Sequence, residues 1–319
     1  YAKTIRKPED IRYELQKAVF LAKDSRNGPV WLDIPLDIQA SLVNPKELRS
    51  FVPKAAAKKI NETKYQKILS LIYEAERPLL LIGHGVRLSG AEKQFKELAK
   101  TLKIPVVFTW NALDLMEHEN PLNIGRPGTV ALRAPNFAVQ NCDLLITIGA
   151  RLDNVVTAYN PANFARYAKK VFVDIDLKEL QKFDHKVDFK ICSDAGEFIS
   201  NLLSRIDKEK IKKCRSWLRK CASWKERYKV NDGAPFPKKG VISHFHFVDK
   251  ISDALPEKSV IVTGSSGLAI ESFYTAFRNK KNQRIFLTSG LGAMGYGIPA
   301  LIGASVASSK KDIYGIESD

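Results

Sequence analysis

Residues 290–297 read Gly-Leu-Gly-Ala-Met-Gly-Tyr-Gly, four glycines in eight positions around one of the chain's two methionines. Glycines at this density let a backbone turn sharply or lie directly against a ligand. A methionine among them can fill a core or press on a bound group. Two more stretches could join this one. Thr-Gly-Ser-Ser-Gly at 263–267 stands between an apolar strand and a helix. Its backbone N–H groups suit a phosphate, although a tight strand-to-helix turn would use the same residues. Glu-Ser-Asp at 317–319 follows another apolar strand, where an aspartate can ligate Mg²⁺ beside a phosphate or simply cap the strand in water. Other chemistries lack their residues. The histidines (84, 118, 185, 244, 246) and cysteines (142, 192, 214, 221) show no zinc spacing, no Gly-x-Ser-x-Gly occurs, and Ser265 and Ser266 have no identifiable base.

These loops need elements to hold them. Residues 9–23 carry a helical apolar face (Ile11, Leu15, Ala18, Val19, Ala22), and Val30–Ile34 reads as a buried strand ended by a proline. Residues 37–60 have little periodicity and read as a linker. A βα alternation then begins, with helices at 65–75 and 89–102 and strands at 78–83, 104–109, 143–149 and 169–176. Ser89 and Glu92 have capping-box spacing for the second helix. Residues 128–140 read as helical with Pro135 as a weak point. A charged helix and a linker at 231–240 follow. A second series has helices at 241–254, 267–278 and 295–307 and strands at 259–264, 284–288 and 312–316. Unbroken Val/Ile/Leu runs between helices predict an α/β fold of doubly wound parallel sheets covered on both faces. In such sheets ligands lie beyond the carboxyl ends of the strands, where the three loops fall.

Composition narrows the class. The chain has 319 residues, 45% hydrophobic and 27% charged, enough for two domains or slightly more. No apolar run is long enough to span a membrane, and the start lacks a signal-peptide core. The net charge of +16 comes from scattered lysine pairs rather than a stripe interleaved with aromatics, which speaks against nucleic acid and membrane as partners. Four cysteines without CxxC pairing suit a reduced, cytoplasmic protein.

The order and spacing of the three loops resemble the cofactor domain of thiamine diphosphate enzymes, nearest to the acetolactate synthase large subunit and its relatives. That family reads GLGxMGxGxPAAIGA and, one strand later, GDG. This chain reads GLGAMGYGIPALIGA and then ESD, with Asp319 lying 25 positions after Met294. The resemblance implies that Gly264, Ser265, Ser266, Gly267, Gly290, Leu291, Gly292 and Met294 meet thiamine diphosphate, Met294 supporting its bent conformation. It implies that Asp319 ligates Mg²⁺ with Ser318 in place of the family's first glycine. The stretches RPLLLIGHGVRLSGA, NIGRPGTVALRAPNFAVQNCDLLITIGARLDNVVT and KKVFVDIDLKEL resemble the central domain, and SRNGPVWLDIPLDIQ resembles the end of the pyrimidine-binding domain.

The domains implied are the end of the pyrimidine-binding domain with a linker (1–45), a complete Rossmann-like central domain (46–205), and a linker with half of the diphosphate-binding domain (206–319). The chain is thus expected to be a fragment, inactive alone, with the catalytic glutamate in a missing preceding domain. For the whole protein the resemblance implies a homodimer or homotetramer with its site between subunits, acting on a 2-oxo acid. Its reaction would be joining two pyruvates into 2-acetolactate and CO₂ in branched-chain amino acid biosynthesis. Alternatives are a related carboligase of sugar or lipopolysaccharide precursor synthesis, or a non-catalytic nucleotide-binding module. Acetolactate synthases also carry FAD on the central domain, and the matching positions are Arg26, Gly128, Thr129, Gly149, Ala150, Arg151, Asp174 and Asp176. The family's GARFDDRVT reads GARLDNVVT here, so Val155 replaces its second arginine.

Overall fold

The computed structural model describes residues 1–53, 60–183, 187–288, 290–308 and 312–317. It divides into two compact units, 1–59 and 60–319. In the first, β1 (Ala2–Thr4) and β2 (Trp31–Asp33) pair in parallel, joined through the helix Ile11–Lys23. β1 is too short to show a period and was not expected from the sequence. β2 is not the buried strand expected. Trp31 is 72% exposed and only Leu32 between Trp31 and Asp33 is half-buried, because a two-stranded sheet with one neighbouring helix cannot cover both faces.

The second unit holds a six-stranded sheet of β3 (Pro78–Ile82), β4 (Val106–Phe108), β5 (Asn123–Gly125), β6 (Leu144–Ile148), β7 (Lys169–Asp174) and β8 (Phe189–Cys192). All neighbours are parallel, in the order β5-β4-β3-β6-β7-β8. Side chains alternate across a strand, so the unbroken apolar run of β3 feeds two cores. Leu80 and Ile82 join Val106, Phe108, Ile146, Ile148, Val171 and Val173 beneath the helices Glu62–Glu74, Glu92–Leu102 and Ala195–Leu203. Leu79 and Leu81 join Val107, Leu145 and Phe172 beneath Arg133–Asn141 and Arg215–Arg227, where the Trp217 indole N–H also donates to Pro78 O at 3.0 Å. The doubly wound parallel α/β architecture is therefore present.

Two local expectations fail for physical reasons. The capping box does not form: the helix begins only at Glu92, Ser89 donates instead to Val86 O, and Glu92 pairs with Arg87. Pro135 is not a weak point, since the helix starts at Arg133 and its first-turn N–H groups have no helical partner anyway.

A smaller parallel sheet follows, of β9 (Val260–Thr263), β10 (Arg284–Phe286) and β11 (Ile313–Ile316) in the order β10-β9-β11. Its core gathers Ile261, Phe273, Tyr274, Phe277 and Ile285, and takes in Leu113 from the segment after β4. The four cysteines are free thiols, with Cys142 and Cys221 buried and their thiols pushed upward by desolvation.

Candidate cofactor site

The strand order of the smaller sheet puts the carboxyl ends of β9 and β11 side by side, and the glycine-rich loop after β10 reaches the same place. Gly264 follows β9 and Gly297 begins the helix Gly297–Ala307. A Cβ added at either glycine would strike the Glu317 carboxylate, and one at Gly297 would also stand 3.3 Å from Gly264 Cα. The Glu317 carboxylate is the movable end of a side chain and can swing aside, so what the glycines provide is the close approach of main chain to main chain, Gly297 against Gly264. Ser265 Oγ donates to Ala293 O at 3.0 Å and ties the first loop to the second. Gly292 and Gly295 hold positive φ of 58° and 78°, conformations that side chains resist. Leu291 and Met294 are 94% and 95% exposed on this loop, so Met294 fills no core within the described residues. Ser265 and Ser266 are half-buried, and Gly267 and Gly290 are exposed. Ser318 and Asp319 lie outside the described residues, and among those described no cluster of three metal-ligating side chains occurs.

The three loops rest on a docked scaffold that sequence reading missed. Asp114, in the segment Trp110–Leu115, has a fully buried side chain. It accepts from Arg87 at 2.7 Å, from Arg284 at 3.0 Å and from the Ile285 N–H of β10 at 3.0 Å. Arg126 is buried and donates to the carbonyls of Tyr274, Thr275 and Phe277. Desolvation lowers its guanidinium to about 10, still charged at neutral pH. His118 N–H donates to Asn279 O, and Asn279 Nδ2 donates to Met116 O. The available signals were an aspartate inside the apolar run Ala-Leu-Asp-Leu-Met and an arginine before a proline, each common on surfaces.

His118 also supplies a pH test. Burial, with Lys225, Arg126 and Arg278 nearby, pushes its imidazole from 6.5 to about 2, and Nδ1 has no hydrogen-bond partner. The unfolded chain therefore takes up a proton near pH 6.5 that the fold refuses until about pH 2. The unfolded state binds more protons across that window, so stability falls as pH drops below about 6.5. The slope from this one group approaches about 1.4 kcal/mol per pH unit. Denaturant titrations between about pH 4 and 6 should show the slope, and His118→Gln should flatten it; an unchanged slope would assign it to other groups.

The residues matched to FAD do not fit a flavin nucleotide. The strand order reverses between β3 and β6, and nucleotides enter such folds at that crevice. Here it is closed by backbone. Gly83 N–H donates to Ile148 O and Gly85 N–H to Gly149 O, each at 3.0 Å, and a Cβ on Gly83 would collide with Gly149. Gly149 N–H donates to Val173 O. Asn136 takes both the N–H and the carbonyl of Gly128, and Thr129 N–H donates to Val155 O. Arg151 pairs with Glu179 at 3.3 Å, and buried Asp174 accepts from Asp176 N–H. The cavity bounded by Ala150, Arg151 and Asp174 measures about 10 Å³. Arg26 belongs to the other compact unit. The main-chain N–H groups of Gly83, Gly85, Gly128, Thr129 and Gly149 are already bonded and the cavity is too small for a flavin nucleotide, so these residues do not fit one.

Parallel sheets with a glycine-lined loop cluster at their carboxyl ends are what the resemblance to thiamine diphosphate enzymes implies, and comparison with known proteins supplies the family. The family profile described as "Thiamine pyrophosphate enzyme, central domain" matches residues 65–202, and that described as "Thiamine pyrophosphate enzyme, C-terminal TPP binding domain" matches 263–319. The chain belongs to the thiamine pyrophosphate enzyme family. It is 32% identical to the probable acetolactate synthase large subunit of Methanocaldococcus jannaschii, over 99% of this chain and 54% of that protein. It is 29% identical to the large subunit of acetolactate synthase isozyme 1 of Escherichia coli, with the same coverage of each. It is 31% identical to acetolactate synthase 2 of Nicotiana tabacum, over 98% of this chain and 47% of the relative. The chain thus spans about half the length of these relatives. Among the described residues no helix is long and apolar enough to cross a membrane.

Proposed function

We propose that the protein carrying this chain is a thiamine diphosphate- and Mg²⁺-dependent carboligase or decarboxylase of 2-oxo acids, joining two pyruvates into 2-acetolactate with loss of CO₂. The supporting observation is that the loop 264–267, the glycine-rich loop 290–297 and Glu317 meet at the carboxyl ends of β9 and β11, with Ser265 Oγ bonded to Ala293 O and Gly297 drawn against Gly264. On this reading Gly264, Ser265, Ser266 and Gly267 line the diphosphate, and Gly290, Leu291, Gly292 and Met294 line the body of the cofactor. Ser318 and Asp319 complete the diphosphate end, with Asp319 holding Mg²⁺. Bound thiamine diphosphate supplies a carbanion-forming carbon that adds to a substrate carbonyl. The glycines let main chain approach the cofactor, and the apolar Leu291 and Met294 side chains shed water from it. The division into 1–45, 46–205 and 206–319 belongs to the same proposal. So do a cytoplasmic homo-oligomer with its site between subunits and a glutamate from another domain as the proton-handling group.

A second reading stays on the same scaffold: a carboligase of sugar or lipopolysaccharide precursor synthesis. The closed crevice between β3 and β6 favours keeping it, because flavin is the feature that the resemblance attaches to acetolactate synthases in particular.

Calorimetric titration of the intact protein with thiamine diphosphate and Mg²⁺, followed by assay with pyruvate, tests both levels. Absence of binding would sink the cofactor site, whereas binding without acetolactate would move the reaction to the second reading. Met294→Ala sharpens the test. A side chain 95% exposed should cost less than about 0.5 kcal/mol of stability when shortened. Losing its contact with the cofactor should weaken binding about tenfold, equivalent to ~1.4 kcal/mol. A large fall in Tm with unchanged affinity would return Met294 to a packing role.

A further inference from the structure

We propose that Arg126 is a positioning residue for the cofactor loop 264–267, acting from the neighbouring domain through the helical segment that the loop leads into; this rests on the reading of that loop as the diphosphate-binding one. The segment begins with a π-turn at Leu268–Ser272 and continues as a short α-helix, Phe273–Ala276. Its last carbonyls lack partners within the helix, as at any helix C-terminus. Arg126 supplies them. Nε donates to Tyr274 O, and Nη2 donates to Thr275 O at 3.0 Å and Phe277 O at 2.9 Å. One planar fork thus holds three carbonyls within four residues of main chain, which a point charge cannot do. Its positive charge also matches the negative end of the helix dipole.

The constraint continues to the loop. The Tyr274 hydroxyl meets Thr263 Oγ1 at 3.3 Å, and Thr263 is the last residue of β9, immediately before Gly264. The Trp110 ring lies 5.6 Å from that of Tyr274 and closes the remaining side. Arg126 therefore fixes the far end of the segment by its carbonyls and the near end through the Tyr274 ring. Burying a guanidinium is costly, and among the described residues no carboxylate offsets the cost; the acceptors are backbone carbonyls. A methionine or leucine would fill the space more cheaply if packing were the only need. What the arginine adds is orientation of the peptide groups at 264–276.

The test compares Arg126→Met and Arg126→Lys with the wild type in the intact protein. Thiamine diphosphate affinity is measured in the presence of Mg²⁺, and backbone hydrogen exchange is followed without cofactor. We expect at least tenfold weaker cofactor binding for Arg126→Met and an intermediate loss for Arg126→Lys. Faster exchange should be confined to 264–276, with β3 and β6 unchanged. A purely structural role would lower Tm and leave the affinity of the folded protein intact. Should Arg126→Met fail to fold, Arg126→Lys and Tyr274→Phe decide the matter, the latter cutting the link to Thr263 without touching the arginine. Wild-type affinity and wild-type exchange in these variants would overturn the proposal alone. A wild-type protein that does not bind thiamine diphosphate would overturn the diphosphate reading and this role with it.

Discussion

Replacing Asp114 with alanine is expected to lower the stability of the protein by about 3–5 kcal/mol, the range seen when one partner of a buried charge pair is removed. The carboxylate is fully buried, and it binds two arginines and a strand N–H at once. Deleting it leaves Arg87 and Arg284 facing each other and leaves the Ile285 N–H without its acceptor. Both arginines keep some exposure, 23% and 35%, so water can relieve part of the repulsion and the loss should fall toward the lower end. Asp114→Asn should cost less, because the amide oxygen can still accept from Ile285 N–H and Arg284, while the charge and the acceptor facing Arg87 are lost. Urea unfolding of the intact proteins measures this, provided the slope with denaturant is unchanged. A loss below about 1 kcal/mol for the alanine variant would mean that the segment Trp110–Leu115 and β10 hold together by apolar packing alone.

This expectation could not have been written from the sequence, and the reason is physical. Periodicity reports which face of an element is apolar. The runs at 78–82 and 144–148 were therefore legible as strands covered on both faces, and the helix Glu92–Leu102 was legible from Phe95, Leu98, Ala99 and Leu102. The loop at 290–297 was legible because its glycine spacing is unusual and ordered. Asp114 and Arg126 were not, since their meaning depends on partners 170 and about 150 positions away, where nothing local marks a match. β5 was missed because three residues ending in glycine show no period. The flavin residues failed in the opposite way. Gly149, Arg151 and Asp174 sit where the resemblance puts them along the chain, yet their donors and acceptors are engaged by Gly85, Glu179 and Asp176. A motif fixes which residues are available, and the fold decides what they are already bonded to.

Gly83→Ala should be the most damaging single methyl group in the six-stranded sheet. The glycine ends β3 at the strand-order reversal, against the loop that ends β6. A Cβ there would overlap Gly149 O and Ala150 Cα, both main-chain atoms, the first of them accepting from Gly85 N–H. Side chains can rotate away from an intruding methyl, but main chain cannot without separating the strands. Gly149 is fixed further by its positive φ of 58° and by its own contact with Gly85. We therefore expect a loss of about 3 kcal/mol or more, at or beyond the usual range for overpacking. Gly303→Ala gives the matching control. It lies inside the helix Gly297–Ala307 with nothing within 4 Å of the added Cβ, so it should gain about 0.5–1 kcal/mol from helix propensity alone. Thermal unfolding of the two variants beside the wild type should show shifts of opposite sign. The outcome bears on ligands as well as stability. If Gly83→Ala unfolds at the wild-type temperature, the loops after β3 and β6 separate at little cost. The crevice between them would then be open to a nucleotide after all. If the variant is crippled, the glycine contact is a rigid part of the sheet, and the six-stranded sheet serves as the platform for Asp114 and Arg126 rather than as a nucleotide site.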